Sequence, residues 1–442
     1  MIQMAPQPNG GTRLSRLIIE GGHKLAGNVR IGGRKNSVVA VIPATILCGA
    51  TSRLENIPQI TDVAVYGELL QTLGVELRPY SNGCAKGLEI NSSGCRPDRT
   101  SYTLAKKLRA SYYLLGALLG RFGEAEIPLP GGCDIGLRPI DQHIKGLEAL
   151  GATVYLEGGL VKAKAGRLQG ATIYLDVVSV GATVNIMLAA ILADGMTVIE
   201  NAAKEPHVVD LANYLNACGA KVQGAGTDVI RIRGVKPSDL HGASHAIIPD
   251  EIEAATFMIA ACATGGDVTV ENVIPRHLAP VSAKLEEIGA QVWENGDLVR
   301  VIATGVRPRA AHITTLPYPG FPTDAQQPMT SLLSLADGTS VVTETIWEGR
   351  FKHVQELNRM GTRIRVDGRT AIIEGVRELS SAPVQASDLR AAAALVVAGL
   401  VANGDTEIAG VEHLDRGYDR AVDKLSSLGA RLRRDDASNG GA

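Results

Sequence analysis

Tryptophan and phenylalanine are nearly missing from this chain, 2 and 4 among 442 residues, and aromatic residues make up only 4% of it. Nucleic-acid binding normally shows a basic surplus with exposed aromatics, and the formal net charge here is −2, so no nucleic-acid partner is expected. Long apolar runs are missing as well. The longest, AAAALVVAGLVA after Arg390, falls short of the roughly 20 residues that span a bilayer. No charged-then-apolar leader opens the chain, so no membrane attachment is expected. Cysteine is sparse: six, at 48, 84, 95, 133, 218 and 262, with no C-x-x-C pair. That excludes a disulfide framework or zinc site and points to a cytoplasmic protein with reduced thiols. His241 and His245 lie four apart, but their segment supplies no further metal ligands.

What is present is a soluble globular composition, 45% hydrophobic and 20% charged, in a chain long enough for two or more domains. Six segments share the form L-x-x-Φ-G-small-x-Φ, where Φ is apolar: LLQTLGVEL, LEALGATVYL, LNACGAKVQ, LEEIGAQVW, LNRMGTRIRV and LSSLGARLR. Their glycines, 74, 151, 219, 289, 361 and 429, are spaced by 77, 68, 70, 72 and 68 residues. Each segment reads as the end of an amphipathic helix, a glycine where φ > 0 is needed, then a strand. Between them recurs an alanine-rich helix that ends at glycine before a short strand, as in AAILADGMTVIENA and AACATGGDVTVENV. The fold class expected is therefore α/β, built from six helix–strand repeats with the apolar helices buried.

Six repeats divide into two domains of three. Residues 35–248 would carry repeats one to three; residues 16–34 with 249–434 would carry repeats four to six. The pattern pauses at HGASHAIIPDE, and LIIEGGHKLAGNVRIGG reads as a strand–turn–strand pairing into the later domain. Residues 1–15 and 435–442 are polar and rich in Gly, Pro, Ser or Asn, as disordered tails are.

After the short strands come the loops PQITD, GGCDIGLR, KEPHVVD, IPRHLAP, WEGRFKH and EHLDRGYDR. If the repeats are equivalent, these emerge at corresponding positions, and Cys133, Arg138, Arg350 and Arg416 could line one inter-domain cleft. Other motifs stay open on residues alone. IGGRKNS sets Lys35 and Asn36 at a helix start, which suits an anion or simply a charged loop; it is not a Walker loop. SVGATVNIM, from Ser179, fits phosphate binding and ordinary capping equally. FPTDAQQP fixes Asp324 in a turn between prolines, as a cap or a general base. In SDLRAAAALV, Arg390 at a helix start opposes the dipole and calls for a negative neighbour, Asp388 or a ligand.

Taken together, KN at 35–36, LRASYY, LPGGCDIGLRPIDQH, SVGAT, FPTDAQQP, DLRA and DRGY resemble the UDP-N-acetylglucosamine 1-carboxyvinyltransferase family, over about residues 17–432. The resemblance implies an inside-out α/β barrel of two domains, each of three repeats around buried helices (the enolpyruvyl transferase fold). It implies that a sugar 3′-hydroxyl adds to phosphoenolpyruvate and phosphate is then eliminated, with no metal or organic cofactor. Cys133 would donate a proton to the enolpyruvyl methylene. Lys35, Arg138 and Arg416 would hold phosphoenolpyruvate, with Arg390 and Arg350 adding positive field. Asn36 and Asp324 would contact the sugar, Asp324 as base. Arg109, Pro139, Ile140, Asp141, Gln142, Ser179, Val180, Gly181 and Ile346 would line the UDP-sugar. Glycines at 131 and 132 would let the thiol close over the site, and the cations around it would draw it toward thiolate.

Three positions depart from the family pattern: Arg34 where a small residue is usual, Glu251 in PDEIE where arginine is usual, and Gly349 in EGR where asparagine is commoner. They motivate a rival reading, a weakly active or non-catalytic UDP-sugar-binding paralogue. A shikimate-type enolpyruvyl transferase is the nearest rival enzyme; the cysteine loop and SVGAT argue against it.

Overall fold

A computed structural model describes residues 15–82, 85–97, 101–129, 140–305 and 307–436. The chain forms two compact units, passing from the second into the first between Gly32 and Gly33 and back between Ile248 and Pro249. The first crossing falls slightly before the residue 35 expected from sequence. At Gly33 a Cβ would stand 1.7 Å from the Asn56 carbonyl oxygen, so only glycine permits that backbone approach.

The first unit has three inner helices, Lys35–Cys48, Tyr113–Phe122 and Val180–Ala190. Most residues of each are buried, which is why their sequences are apolar on all sides rather than along one stripe. Around them lie sheets ordered Ser244–Ala246, Thr51–Glu55, Ala85–Asn91, Glu76–Asn82; then Glu124–Pro128, Leu160–Lys164, Thr153–Glu157; then Lys221–Gln223, Val229–Arg233, Met196–Glu200, Thr172–Tyr174. Outer helices Thr61–Thr72, Asp141–Ala149 and Pro206–Ala217 carry the amphipathic segments. Thr61–Thr72 buries Asp62, Tyr66, Leu69 and Leu70, one face at helical spacing.

The second unit repeats the plan with inner helices Glu251–Ala263, Thr323–Leu333 and Leu389–Val401. Ala26–Arg30 pairs in parallel with Asp267–Glu271, and Ser15–Glu20 pairs antiparallel with both Asp405–Ala409 and Arg431–Asp436. Strand therefore reaches into both expected tails. Ser15 pairs with Asp436, so strand includes residue 15 at one end and residues 435 and 436 at the other.

The repeat glycines do what their spacing requires: all six have φ between 85° and 110°. A second signature was not read from sequence. Asn56, Asn201 and Asn272 end the short strands at φ of 55°, 57° and 57°. Each donates its side-chain amide to a backbone carbonyl, of Ile247, Leu175 and Ile31 respectively, at 2.7–2.8 Å. Asparagine tolerates the left-handed region and locks the corner where each site loop begins.

Candidate functional site

In the first unit Lys35 opens an inner helix, where a cation faces the positive end of the dipole. Its Nζ is 2.8 Å from Asp62 Oδ2, with both side chains mostly buried. Asp62 belongs to PQITD, the counterpart of the cysteine loop in the repeat, and that equivalence was the signal that could have named it. Two residues along, Ser37 Oγ donates to Asp210, whose other oxygen lies 2.8 Å from His245 Nε2. The half-buried Asn36 lies on this pinned first turn.

Asp141 and Gln142 head a helix whose N-cap residue is Ile140. Gln142 Nε2 donates to Asp141 Oδ2 at 2.9 Å and to Asp176 Oδ2 at 3.1 Å, while its Oε1 accepts from the Asp176 amide at 2.9 Å. Asp176 also meets Lys145 at 2.7 Å; hydrogen bonds from Lys145 and then Gln142 hold its carboxyl below the ordinary value. Three residues on, Ser179 Oγ accepts from the Ala182 amide at 3.3 Å, so this serine is a helix cap, as half of the sequence reading allowed. Val180 and Gly181 begin that helix. A Cβ on Gly181 would come within 2.8 Å of the His143 ring and 2.9 Å of the Tyr112 hydroxyl. His143 Nδ1 is 3.0 Å from Asn185 Nδ2, and burial pushes its pKa down to about 4, so the ring is neutral and accepts from the amide. These contacts join Asp141 and Gln142 to the Ser179–Gly181 turn. Arg109 opens the short 3₁₀ turn Arg109–Tyr112. Its side chain, and all of Cys133, Arg138 and Pro139, lie outside the described residues.

In the second unit Asp324 is not in a turn between prolines. Pro322 is the N-cap, and Asp324 stands in the first turn of Thr323–Leu333, because proline is tolerated there and an acid favours the helix start. Its carboxylate meets two guanidiniums. Oδ1 accepts from Arg350 Nη2 and Oδ2 from Arg390 Nη2, the latter at 3.0 Å. Asp324 is 27% exposed at the side chain, against 4% and 6% for Arg350 and Arg390. Burial alone would make Arg390 easier to deprotonate. Asp324, the Tyr418 phenol and Asp250 outweigh it and keep the guanidinium charged. Arg390 lies 5.5 Å over the Tyr418 ring, and Tyr418 shares a 2.9 Å hydrogen bond with Thr256. Asp388 accepts from the amides of Arg390 and Ala391, so the negative neighbours sought for Arg390 are Asp388 at the backbone and Asp324 at the side chain.

Arg416 follows the short helix Glu412–Asp415, two residues before Tyr418. Arg434 holds Asp415 through bonds of 2.9 and 2.6 Å. Ile346 is half-buried, and its amide shares the Glu344 carboxylate with Thr323, the residue before Asp324; sequence reasoning missed Glu344 entirely. A glutamate in TETIWEGR carries no local sign of burial. Of the departures, Glu251 sits at the first position of its helix, where an acid is favoured and arginine would not be.

A family profile described as EPSP synthase (3-phosphoshikimate 1-carboxyvinyltransferase) matches residues 19–425. The chain is 57% identical over 419 residues to UDP-N-acetylglucosamine 1-carboxyvinyltransferase 3 of Symbiobacterium thermophilum, covering 94% of this chain and 97% of that one. It is 56% identical to UDP-N-acetylglucosamine 1-carboxyvinyltransferase of Clostridium botulinum, covering 95% and 99%. Among solved structures, the enolpyruvyl transferase NikO from Streptomyces tendae aligns with a TM-score of 0.85 at 29% identity, over 96% of this chain and 100% of that one. EPSP synthase from Acinetobacter baumannii, at 21% identity over 95% and 100%, shares the fold with a TM-score of 0.74.

Proposed function

The chain belongs to the EPSP synthase family and, within it, to the UDP-N-acetylglucosamine 1-carboxyvinyltransferases, and from that premise we propose which of its residues carry the reaction. It transfers the enolpyruvyl group of phosphoenolpyruvate to the 3′-hydroxyl of UDP-N-acetylglucosamine, releasing phosphate, the opening step of peptidoglycan synthesis. Among the described residues no helix is long and apolar enough to cross a membrane.

The observation that carries the assignment of roles is the Asp324 carboxylate shared by two buried guanidiniums. Two cations on one carboxylate make a poor base at rest. When phosphoenolpyruvate brings its own carboxylate and phosphate, it competes for Arg350 and Arg390, and Asp324 gains basicity only as substrate arrives. Asp324 then takes the proton of the sugar 3′-hydroxyl as that oxygen bonds to C2 of the enolpyruvyl group. Cys133 gives its proton to C3. In the second step C3 returns a proton to the Cys133 thiolate, the C2–O bond to phosphate breaks, and the leaving phosphate takes the proton that Asp324 holds. Lys35, Arg138 and Arg416 hold the phosphate and carboxylate; Asn36 contacts the sugar. Arg109, Pro139, Ile140, Asp141, Gln142, Ser179, Val180, Gly181 and Ile346 line the sugar nucleotide.

Phosphate release from phosphoenolpyruvate, measured with UDP-N-acetylglucosamine and in parallel with shikimate 3-phosphate, tests the reading. Release is expected with the sugar nucleotide alone. Release only with shikimate 3-phosphate would make this a shikimate-type enzyme. UDP-sugar binding without release would make it the non-catalytic paralogue that Arg34, Glu251 and Gly349 suggest.

A further inference from the structure

We infer that Glu344 is a positioning residue that holds the candidate base and the sugar-lining turn in a single register. Its side chain is wholly buried, and all four of its donors are neutral. Oε1 accepts from Thr315 Oγ1 at 2.9 Å and from the amides of Ile346 at 2.8 Å and Trp347 at 3.1 Å. Oε2 accepts from Thr323 Oγ1 at 2.8 Å. Burying a carboxylate is costly unless its oxygens are filled, and charge-assisted bonds are the strong ones. Nothing neutral of the same size accepts four hydrogen bonds.

The two oxygens reach different parts of the site. Oε2 binds the residue before Asp324, at the start of the helix. Oε1 binds the turn that carries Ile346. The far end of that turn is tied to the same helix, because Gln327 Nε2 donates to the Arg350 carbonyl at 2.8 Å. Residues 344–350 are thus fastened to Thr323–Leu333 at both ends, with Asp324 and Arg350 facing each other between the fastenings. Removing the Glu344 charge frees one end. Asp324 then loses its fixed distance from Ile346, and a small misplacement of a reacting group costs rate steeply.

The inference rests on the proposed roles of Asp324 and Ile346, and its test keeps the two apart. Steady-state phosphate release is measured for wild type, Glu344→Gln, Thr323→Val, Thr323→Ser and Asp324→Asn, with thermal unfolding of each. Thr323→Val cuts only the arm to Asp324. Its kcat should fall about tenfold while KM for UDP-N-acetylglucosamine stays within about twofold, and Thr323→Ser, which keeps the hydroxyl, should restore kcat. Glu344→Gln leaves one accepting oxygen and turns the other into a donor, so the two arms cannot both keep their strength; kcat should fall and KM for the sugar nucleotide should rise, each by about tenfold. A brace with no part in positioning would lower the unfolding temperature and leave both constants unchanged. Wild-type constants in Glu344→Gln and Thr323→Val, with Asp324→Asn inactive, would overturn this inference alone. An active Asp324→Asn would instead remove the role of Asp324. Should Glu344→Gln fail to fold, the Thr323 pair decides.

Discussion

Glu253 should make the second unit lose stability as pH rises through the weakly acidic range, and Glu253→Gln should abolish that loss. The residue lies in the first turn of Glu251–Ala263, buried, with Oε1 2.6 Å from Lys424 Nζ and Oε2 accepting from the Gly32 amide at 3.0 Å. The other charges around it are Asp250, which caps the helix, and Asp419, 3.5 Å from Lys424. Burial raises its carboxyl from 4.5 to about 7; Lys424 and the Gly32 amide oppose the rise, and Asp250 adds to it. Below pH 4.5 native and unfolded chains both hold the proton, and the group contributes nothing. Between 4.5 and 7 the unfolded chain releases a proton that the native protein keeps, so stability falls with pH. Above 7 the full penalty, about 3 kcal/mol, is present. The glutamine variant titrates nothing there, and Lys424 keeps Asp419 beside it. Its stability relative to wild type should therefore improve by about 3 kcal/mol between pH 4.5 and pH 8, roughly 6 to 12 °C in unfolding temperature. Paired thermal scans across that range measure it. A difference between the two proteins that does not change with pH would refute the argument.

The remaining expectations concern other groups. His143, held neutral with its pKa near 4 instead of 6.5, should cost the native protein stability as pH falls from 6.5 toward 4, and His143→Gln should flatten that acid slope in melting curves. Asp324→Asn keeps the shape and one acceptor, so calorimetric affinity for UDP-N-acetylglucosamine should fall less than about tenfold, while single-turnover phosphate release drops by roughly 10² to 10⁴. Near-normal release would leave Asp324 a sugar-orienting contact. The epoxide phosphonate fosfomycin should alkylate Cys133 before the buried Cys48, Cys95, Cys218 and Cys262, faster with sugar nucleotide present, as read by peptide mapping. Burial pushes Cys95 to about 11 and Cys262 to about 12, which leaves them almost wholly as unreactive thiols at neutral pH; label spread over these four would count against a special site at Cys133.

Much of this protein was legible in its sequence, and for local reasons. The glycines at 74, 151, 219, 289, 361 and 429 each marked the end of a helix because a left-handed residue there is a requirement of the backbone itself. The inner helices could be told from the outer ones because burial on all sides leaves no polar face. Motifs such as RPIDQH and FPTD named residue types and their family. Other features could not be read in any window. Asp324 looked like a turn residue until its partners were known, and those partners lie 26 and 66 positions away. Lys35 read as a cation at a helix start that suits an anion or a charged loop, and it is paired with Asp62 on a different helix. Glu344 showed nothing, because its four donors come from three segments, Thr315 after the strand His312–Thr314, the turn at Ile346 and Trp347, and Thr323 at the start of the helix Thr323–Leu333, which meet only when these are packed together. Local sequence determines backbone conformation through short-range sterics and apolar periodicity. Whether a carboxylate becomes a cap, a base or a brace depends on which donors and charges the folded chain brings within 3 Å of it, and only the tertiary structure decides that.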